Sequence, residues 1–381
     1  MSRQRPIPTP DPAALRTAVR TYYAERLEGG ACCSSQPVPV VLEGAADVPS
    51  FGCGDPLAVE SLASGETVLD LGSGAGFDAL RAARAVGPSG RVIGVDMTPA
   101  MLARARAAAV SVGADNVEYR EGLIEALPVA DASVDVVISN CVLNLSDDVQ
   151  GVLDEAERVV RCGGRIALSD TFRLGPAPAQ LDLHGWCACV DGAHDPVALV
   201  RQARRAGFVD VHVPEPPGTV ARGATYGAVL RGVKPRIDVA DAAAVDEGAT
   251  LLERADLPTD GWRADGLLRW AAIDGERVVG IVALEVHERH GLVRSLVVDP
   301  ADRQRGFGAA LLAHAVRAAR RLGLVDVAAL TTTVASWLAS HGFREVRWHD
   351  LAPSVHASDE LRGACPTSAR AFVLELTTGR G

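Results

Sequence analysis

Between Thr67 and about Arg231, short apolar runs alternate with longer amphipathic stretches. The runs TVLDL, RVIGVD, VDVVIS and RIALSD begin at Thr67, Arg91, Val134 and Arg165, and valine, isoleucine and leucine dominate them. They end at glycine, aspartate, serine or asparagine and read as strands buried on both faces. The intervening segments 79–86, 99–112 and 147–160 repeat their apolar positions at helical spacing. Thr98 followed by Pro99 predicts a helix start, with the hydroxyl as cap and the proline pre-set for the first turn. Strict alternation of this kind predicts an α/β fold built on a doubly wound parallel sheet.

A second pattern starts in RGVKPRIDVADA, residues 231–242, where a proline interrupts and a fresh strand-then-helix order follows. RVVGIVALEV and LVRSLVVD, beginning at Arg277 and Leu292, read as adjacent strands, and residues 308–322 read as a helix after a glycine turn. No internal repeat relates the two halves. At 381 residues the chain exceeds the size at which one core stops growing. Two domains are therefore expected, 1–235 and 236–381.

Composition narrows the chemistry. The formal net charge is −10, with acidic and basic side chains dispersed along the helices, which argues against a nucleic-acid partner. Lys234 is the only lysine, so a lysine Schiff base or a phosphate-loop lysine is nearly excluded. No apolar run approaches the roughly 18 residues needed to span a bilayer. The opening MSRQRPIPTPDPAA lacks the apolar core of a leader, so a cytoplasmic protein with no membrane partner is expected. Eight cysteines in a reducing compartment read as thiols, ligands or redox relays rather than crosslinks.

Gly72, Gly74 and Gly76 in LGSGAG lie between a strand and a helix, where a tight turn lets backbone approach a ligand. The spacing G-x-G-x-G lacks the later glycine of a pyrophosphate site. Asp96 closes the next strand, where a carboxylate can accept both hydroxyls of a ribose. Together these residues resemble the class I methyltransferases that use S-adenosylmethionine. That resemblance implies Asp70, Gly72, Gly74, Gly76, Asp96, Met97 and Asn140 around the donor. EGLIEALP, from Glu121, resembles the family's adenine-flanking segment, with Ile124 and Glu125 against the ring.

Cys53 in FGCG, Cys141 in SNCVLNLS and Cys189 in CVDGA stand around that turn, and Cys32 and Cys33 precede it in ACCSS. Cys141 follows a strand's carboxyl end, where open α/β sheets bind ligands. Neither paired knuckles nor interleaved histidines of a structural zinc site are present. Cys162 and Cys187 read as packing residues, and His184 and His194 as solvated or capping. The segments resemble the arsenite S-adenosylmethionine methyltransferases over roughly residues 16–235. The resemblance implies that Cys141 and Cys189 hold trivalent arsenic, with Cys53 and one of Cys32 or Cys33 as third ligand or disulfide relay. It also implies arsenite and methylated arsenicals as substrates and a cellular thiol reductant as partner.

In VVDPADRQRGFGAALL, Arg303, Gly306 and Gly308 follow a strand and open a helix, an arrangement whose N–H groups can cradle a pyrophosphate. The segment resembles motif A of the GNAT acetyltransferases, which implies acetyl-CoA on Val297, Val298 and the turn. Leu330–Thr333 (LTTT), Ser340–Phe343 and Cys365–Ala369 are similar to elements of arsenic-resistance GNAT proteins. Leu338 stands where many GNAT enzymes carry a tyrosine acid; Glu285, assisted by His287 or His290, is a candidate base through water.

These readings combine into a bifunctional arsenic-detoxification enzyme, an arsenite methyltransferase followed by an acetyl-CoA-dependent N-acetyltransferase. The alternative is a small-molecule C- or O-methyltransferase with packing cysteines and a noncatalytic acetyl-CoA-binding module. A third possibility is a metalloid-binding protein without catalysis.

Overall fold

The computed structural model describes residues 11–26, 55–176, 182–215, 225–259, 261–364, 366 and 368–376. The chain divides into two compact units, Met1–Ala203 with Asp210–Lys234, and Arg204–Val209 with Pro235–Gly381.

Along the first sheet the order is α1 (Pro12–Arg26), α2 (Pro56–Val59), β1 (Thr67–Leu71), α3 (Phe77–Val86), β2 (Arg91–Asp96), α4 (Pro99–Ser111) and β3 (Val117–Glu121). Then come β4 (Val134–Asn140), α5 (Val149–Val159), β5 (Val160–Arg173), α6 (Leu183–Cys187), α7 (Pro196–Ala206), β6 (Val209–His212) and β7 (Thr225–Val233). The strands lie side by side as β3-β2-β1-β4-β5-β7-β6. β1 pairs in parallel with both β2 and β4, so the order in which strands are added across the sheet reverses there, and a crevice opens beyond the carboxyl ends.

The expected doubly wound parallel sheet carries an antiparallel strand next to one edge, between β5 and the edge strand β6. β7 runs antiparallel to β5, from Arg165 opposite Val233 to Arg173 opposite Thr225. Its first half alternates exposed and half-buried residues, the pattern an antiparallel strand tolerates and a doubly covered parallel one does not. Val68, Val92, Val136 and Ile138 of the central strands pack against Leu80, Val86 and Leu102 of α3 and α4.

Two local readings also change. Thr98 occupies the N-cap position of α4, yet its hydroxyl makes no cap bond; hydroxyl and N–H both serve the Asp96 carboxylate, the latter at 2.8 Å. Lys234 donates to the carbonyl oxygens of Glu157 and Val160 at 2.7 and 2.8 Å, closing the end of α5 and leaving the lone lysine a structural task.

The second sheet contains β8 (Arg236–Val239), α8 (Ala242–Arg254), β9 (Leu268–Asp274), β10 (Arg277–His287), β11 (His290–Val298) and α9 (Phe307–Arg321). β12 (Asp326–Thr331), α10 (Ala335–Ser340), β13 (Arg344–Val346) and β14 (Arg370–Glu375) complete it. Its order is β13-β14-β12-β11-β10-β9-β8. Leu311, Ala315 and Ala319 of α9 cover one face over Val282, Leu284 and Val327. Leu251 and Leu252 of α8 cover the other with Trp262, Ile281 and Val297. Among the described residues no helix is long and apolar enough to cross a membrane.

Gly76 caps α3 in the left-handed region, at φ 92°. A Cβ there would lie 2.4 Å from the Tyr119 hydroxyl and 3.1 Å from Ala105 Cβ. Gly76→Ala should therefore cost about 1–3 kcal/mol in thermal melts. Adding Tyr119→Phe should restore the steric part of that loss and leave the dihedral part, a difference a double-mutant cycle resolves.

Candidate functional site

A cavity lies at the carboxyl ends of β1, β2 and β4. Gly72, Gly74, Asp96, Met97, Ile124, Glu125, Asn140 and Cys141, all anticipated, line it. Arg16, Val19 and Tyr23 of α1, which sequence reasoning left out, form a further wall. That helix is seated by Leu15 and Val19 on Trp186 and Cys187, so Cys187 does pack as expected. Gly72 is pressed so closely by Val142 that a Cβ would come within 2.4 Å of it.

Asp96 accepts the Gly74 N–H at 2.9 Å through one oxygen and the Thr98 N–H at 2.8 Å through the other. The turn is thus tied to the strand end that offers the carboxylate. The Asn140 amide donates to Asp78 Oδ2 at 2.9 Å, and Arg81 reaches Asp78 at 3.1 Å. Asp70 lies beneath the turn rather than on the cavity surface, fully buried, and its Oδ2 has no partner among the described residues. Burial, with Asp78 and Asp96 adding to it, holds the Asp70 carboxyl well above the ordinary range. Burial raises Asp78 and Asp96 as well. A cluster short of positive charge under a glycine turn suits a donor carrying both a sulfonium and an ammonium group. Gly76 does not line the cavity; its place is the packing of α3 on Tyr119.

Cys141 and Cys189 come together although they stand 48 residues apart. Both are buried, and Cys189 Sγ lies 3.8 Å from the Cys141 carbonyl oxygen. Each adopts a left-handed backbone, φ 57° and 63°, which costs a residue with a Cβ on the order of 1–2 kcal/mol. Asp170, fully buried, holds the first turn: its Oδ2 accepts the Leu143 and Asn144 N–H groups at 3.0 and 3.3 Å. The Asn144 amide then donates to the Cys189 carbonyl at 3.3 Å. Tyr23 Oη sits 3.8 Å from Cys189 Sγ.

His194 is not the solvated residue expected. Its Nε2 lies 3.8 Å from Asp170 Oδ2, and its N–H donates to Thr171 O at 2.9 Å. Cys162 is exposed rather than packed. Cys32, Cys33, Cys53 and Cys365 lie outside the described residues. Among the described residues no group of three or more histidine, cysteine, aspartate or glutamate side chains forms a metal site.

In the second unit, β11 and β12 pair from His290 opposite Asp326 to Val293 opposite Ala329, and their ladder ends there. Arg294 to Val298, including Val297 and Val298, continue past the split. The turn after β11 carries a 3-10 turn at Pro300–Asp302 and places Gly306 as N-cap of α9. Arg303 is exposed, with Nε 3.4 Å from Val298 O. A Cβ added at Gly308 would meet Val298 and Trp337 only at ordinary contact distance, 3.7 and 3.8 Å. Glu285, read as a base, is tied instead to Ser358 Oγ at 2.7 Å and Arg294 at 3.3 Å. His290 is paired with Asp326 at 2.9 Å.

Residues 62–206 match the model of a methyltransferase domain, and residues 266–345 that of an acetyltransferase (GNAT) domain. An arsenite methyltransferase of Aquipseudomonas alcaligenes is 35% identical over 64% of this chain and 79% of its own length. The chain belongs to the arsenite methyltransferase family. The arsenite methyltransferase of Halobacterium salinarum is 48% identical over 53% of this chain, which spans 59% of that protein. The arsenic(III) S-adenosylmethionine methyltransferase of Chlamydomonas reinhardtii is 31% identical, with 60% of this chain and 75% of that one covered at a TM-score of 0.44.

In this arsenite methyltransferase family member, the class I methyltransferase fold and a GNAT domain stand in one chain, and with them the cofactors S-adenosylmethionine and acetyl-CoA. Asp170, Asn144 and Tyr23 were missed because each makes its contact with a residue far along the chain, Leu143, Cys189 and Cys189 respectively. Only the asparagine inside SNCVLNL offered a local signal.

The raised Asp70 carboxyl has a sign that can be measured. The folded, ligand-free protein keeps a proton that the unfolded chain releases above its ordinary value of 3.8. The associated stability is present at low pH and is lost as pH rises through the raised value. Asp70→Asn should remove that loss. Melting temperature at about pH 7 rises, by about 2–4 °C for each kcal/mol recovered, its fall with pH flattens, and calorimetry shows weaker S-adenosylmethionine binding.

Proposed function

We propose that the chain is a bifunctional arsenic-detoxification enzyme. Residues 1–235 methylate trivalent arsenic, and residues 236–381 transfer acetyl from acetyl-CoA to an acceptor. Cys141 and Cys189 hold the arsenic as thiolates, with the third sulfur from Cys53, Cys32 or Cys33. The observation that carries the reading is the meeting of two buried thiol residues, 3.8 Å from the sulfur of one to the carbonyl of the other, on strained backbone beside the cavity.

Trivalent arsenic is soft, takes thiolates in a three-coordinate pyramid and keeps a lone pair. The arsenic is itself the nucleophile, so no general base is required. S-adenosylmethionine supplies an electrophilic sulfonium methyl. Asp96 would accept the ribose hydroxyls, Ile124 and Glu125 would flank the adenine, and Asp70 would act from beneath the glycine turn on the cationic end of the donor. The chain's own work is to bind, align and exclude water. Methylation raises arsenic to the pentavalent state, and two electrons from thiols restore the trivalent form. A cellular thiol is therefore the reductant, and the cytoplasm is the compartment that provides it.

Incubation with arsenite, glutathione and S-adenosylmethionine should yield methylated arsenicals detectable by mass spectrometry. Cys141→Ser and Cys189→Ser should each lower the yield by about 100-fold or more while still binding S-adenosylmethionine in calorimetry. Methylation of a carbon or oxygen acceptor unaffected by either change would favour packing cysteines instead. Acetyl transfer predicts separately that coenzyme A binds the full chain and that Gly306→Arg weakens it.

A further inference from the structure

The donor cavity at the carboxyl ends of β1, β2 and β4 has a volume of about 100 Å³, below the roughly 300 Å³ at which pockets for small organic ligands begin. Arg16, Met97, Gly122 and Leu123 line this cavity and also a neighbouring groove of about 330 Å³, whose walls include Arg20 of the same helix α1. The helix thus stands at the partition between two voids, either of which alone holds only part of a nucleoside with its side chain.

α1 rests on Trp186 and Cys187 through Leu15 and Val19, and Arg16 reaches Asp147 at 3.8 Å, a partly exposed pair that adds little. Tyr23 makes the contact that chemistry at the thiols can alter. Its Oη donates to Cys187 O at 3.3 Å and lies 3.8 Å from Cys189 Sγ. Cys141 lines the donor cavity and Cys189 does not, whereas Tyr23 both lines the cavity and touches the Cys189 sulfur. An arsenic shared between the two sulfurs and facing the donor needs the space beside Cys189 that this side chain occupies.

We propose that α1 is a lid over the donor cavity and that Tyr23 is its latch, released when arsenic takes the Cys189 sulfur. The inference rests on the thiolate reading above and gives that site an order of loading, metalloid first and donor second. For each thiol engaged, an S–H and an As–O bond are exchanged for an As–S bond, the proton leaving with the hydroxide as water. Tyr23 then loses its place on the sulfur, α1 lifts, and cavity and groove merge to admit S-adenosylmethionine. With the latch closed, the electrophilic methyl is not held beside vacant thiols that would take it in arsenic's place. Tyr23 is a positioning residue, since it acts on the donor through α1.

The test is calorimetry on the full chain with S-adenosylhomocysteine, which lacks the transferable methyl, with and without saturating arsenite. Arsenite should tighten the nucleoside by about 10-fold, and the nucleoside should tighten arsenite by the same factor. Tyr23→Phe keeps the ring and removes the latch, so its arsenite-free affinity should rise towards the arsenite-bound value of the native chain and the ratio should fall to about 1. A side chain with only a packing role would lower both affinities and leave the ratio unchanged. Hydrogen exchange over Pro12–Arg26 in the native chain needs no variant: arsenite alone should speed exchange there. An arsenite effect absent from either measurement on the native chain, or a ratio in folded Tyr23→Phe equal to the native one, would overturn the proposal. Arsenite titrated into Cys189→Ser separates the two readings. If it binds as tightly as to the native chain, the thiolate reading fails and the latch with it; if it binds more weakly while nucleoside affinity in the native chain ignores arsenite, only the latch falls.

Discussion

One buried carboxylate organises the first site. Asp170 sits near the end of β5 with no exposed surface, and its Oδ2 accepts the N–H groups that turn the chain after Cys141. The turn positions Asn144, whose amide grips the Cys189 carbonyl from another part of the chain. His194 closes the same arrangement by pairing its backbone with Thr171. Such a carboxylate is tolerated in a dry interior because its lone pairs are met by fixed donors. Without it, the turn that carries Asn144 to the Cys189 carbonyl would lose both of its carboxylate-bound N–H groups.

The strand, turn and helix around the donor were legible in the sequence because the signals are local. Glycines follow a run of valine and leucine, and Asp96 ends the next run one crossover later. The structure adds that Thr98 serves Asp96 rather than capping its helix, since the carboxylate two residues before it takes up the hydroxyl. The antiparallel β7 was not legible: alternation of apolar runs reports that strands exist, not which way the last one is threaded. Tyr23 was equally hidden, since it meets Cys189 across 166 residues and periodicity carries no information about such pairs.

The second unit shows the same division. The turn from Arg303 to Gly308 could be read from spacing, whereas the ties on Glu285 could not. Glu285 looked like a free base on its strand, and only the fold brings Arg294 and Ser358 around it. A carboxylate's role is decided by how many of its lone pairs the protein has already used, and sequence alone does not count them.

The left-handed backbone at Cys141 and Cys189 has an evolutionary corollary. Glycine would sit there without penalty and asparagine with little, so every generation in which sulfur is not needed favours its replacement on stability grounds alone. If the proposed thiolate role is right, a descendant that abandoned soft-element chemistry should lose these cysteines sooner than it loses the glycine turn.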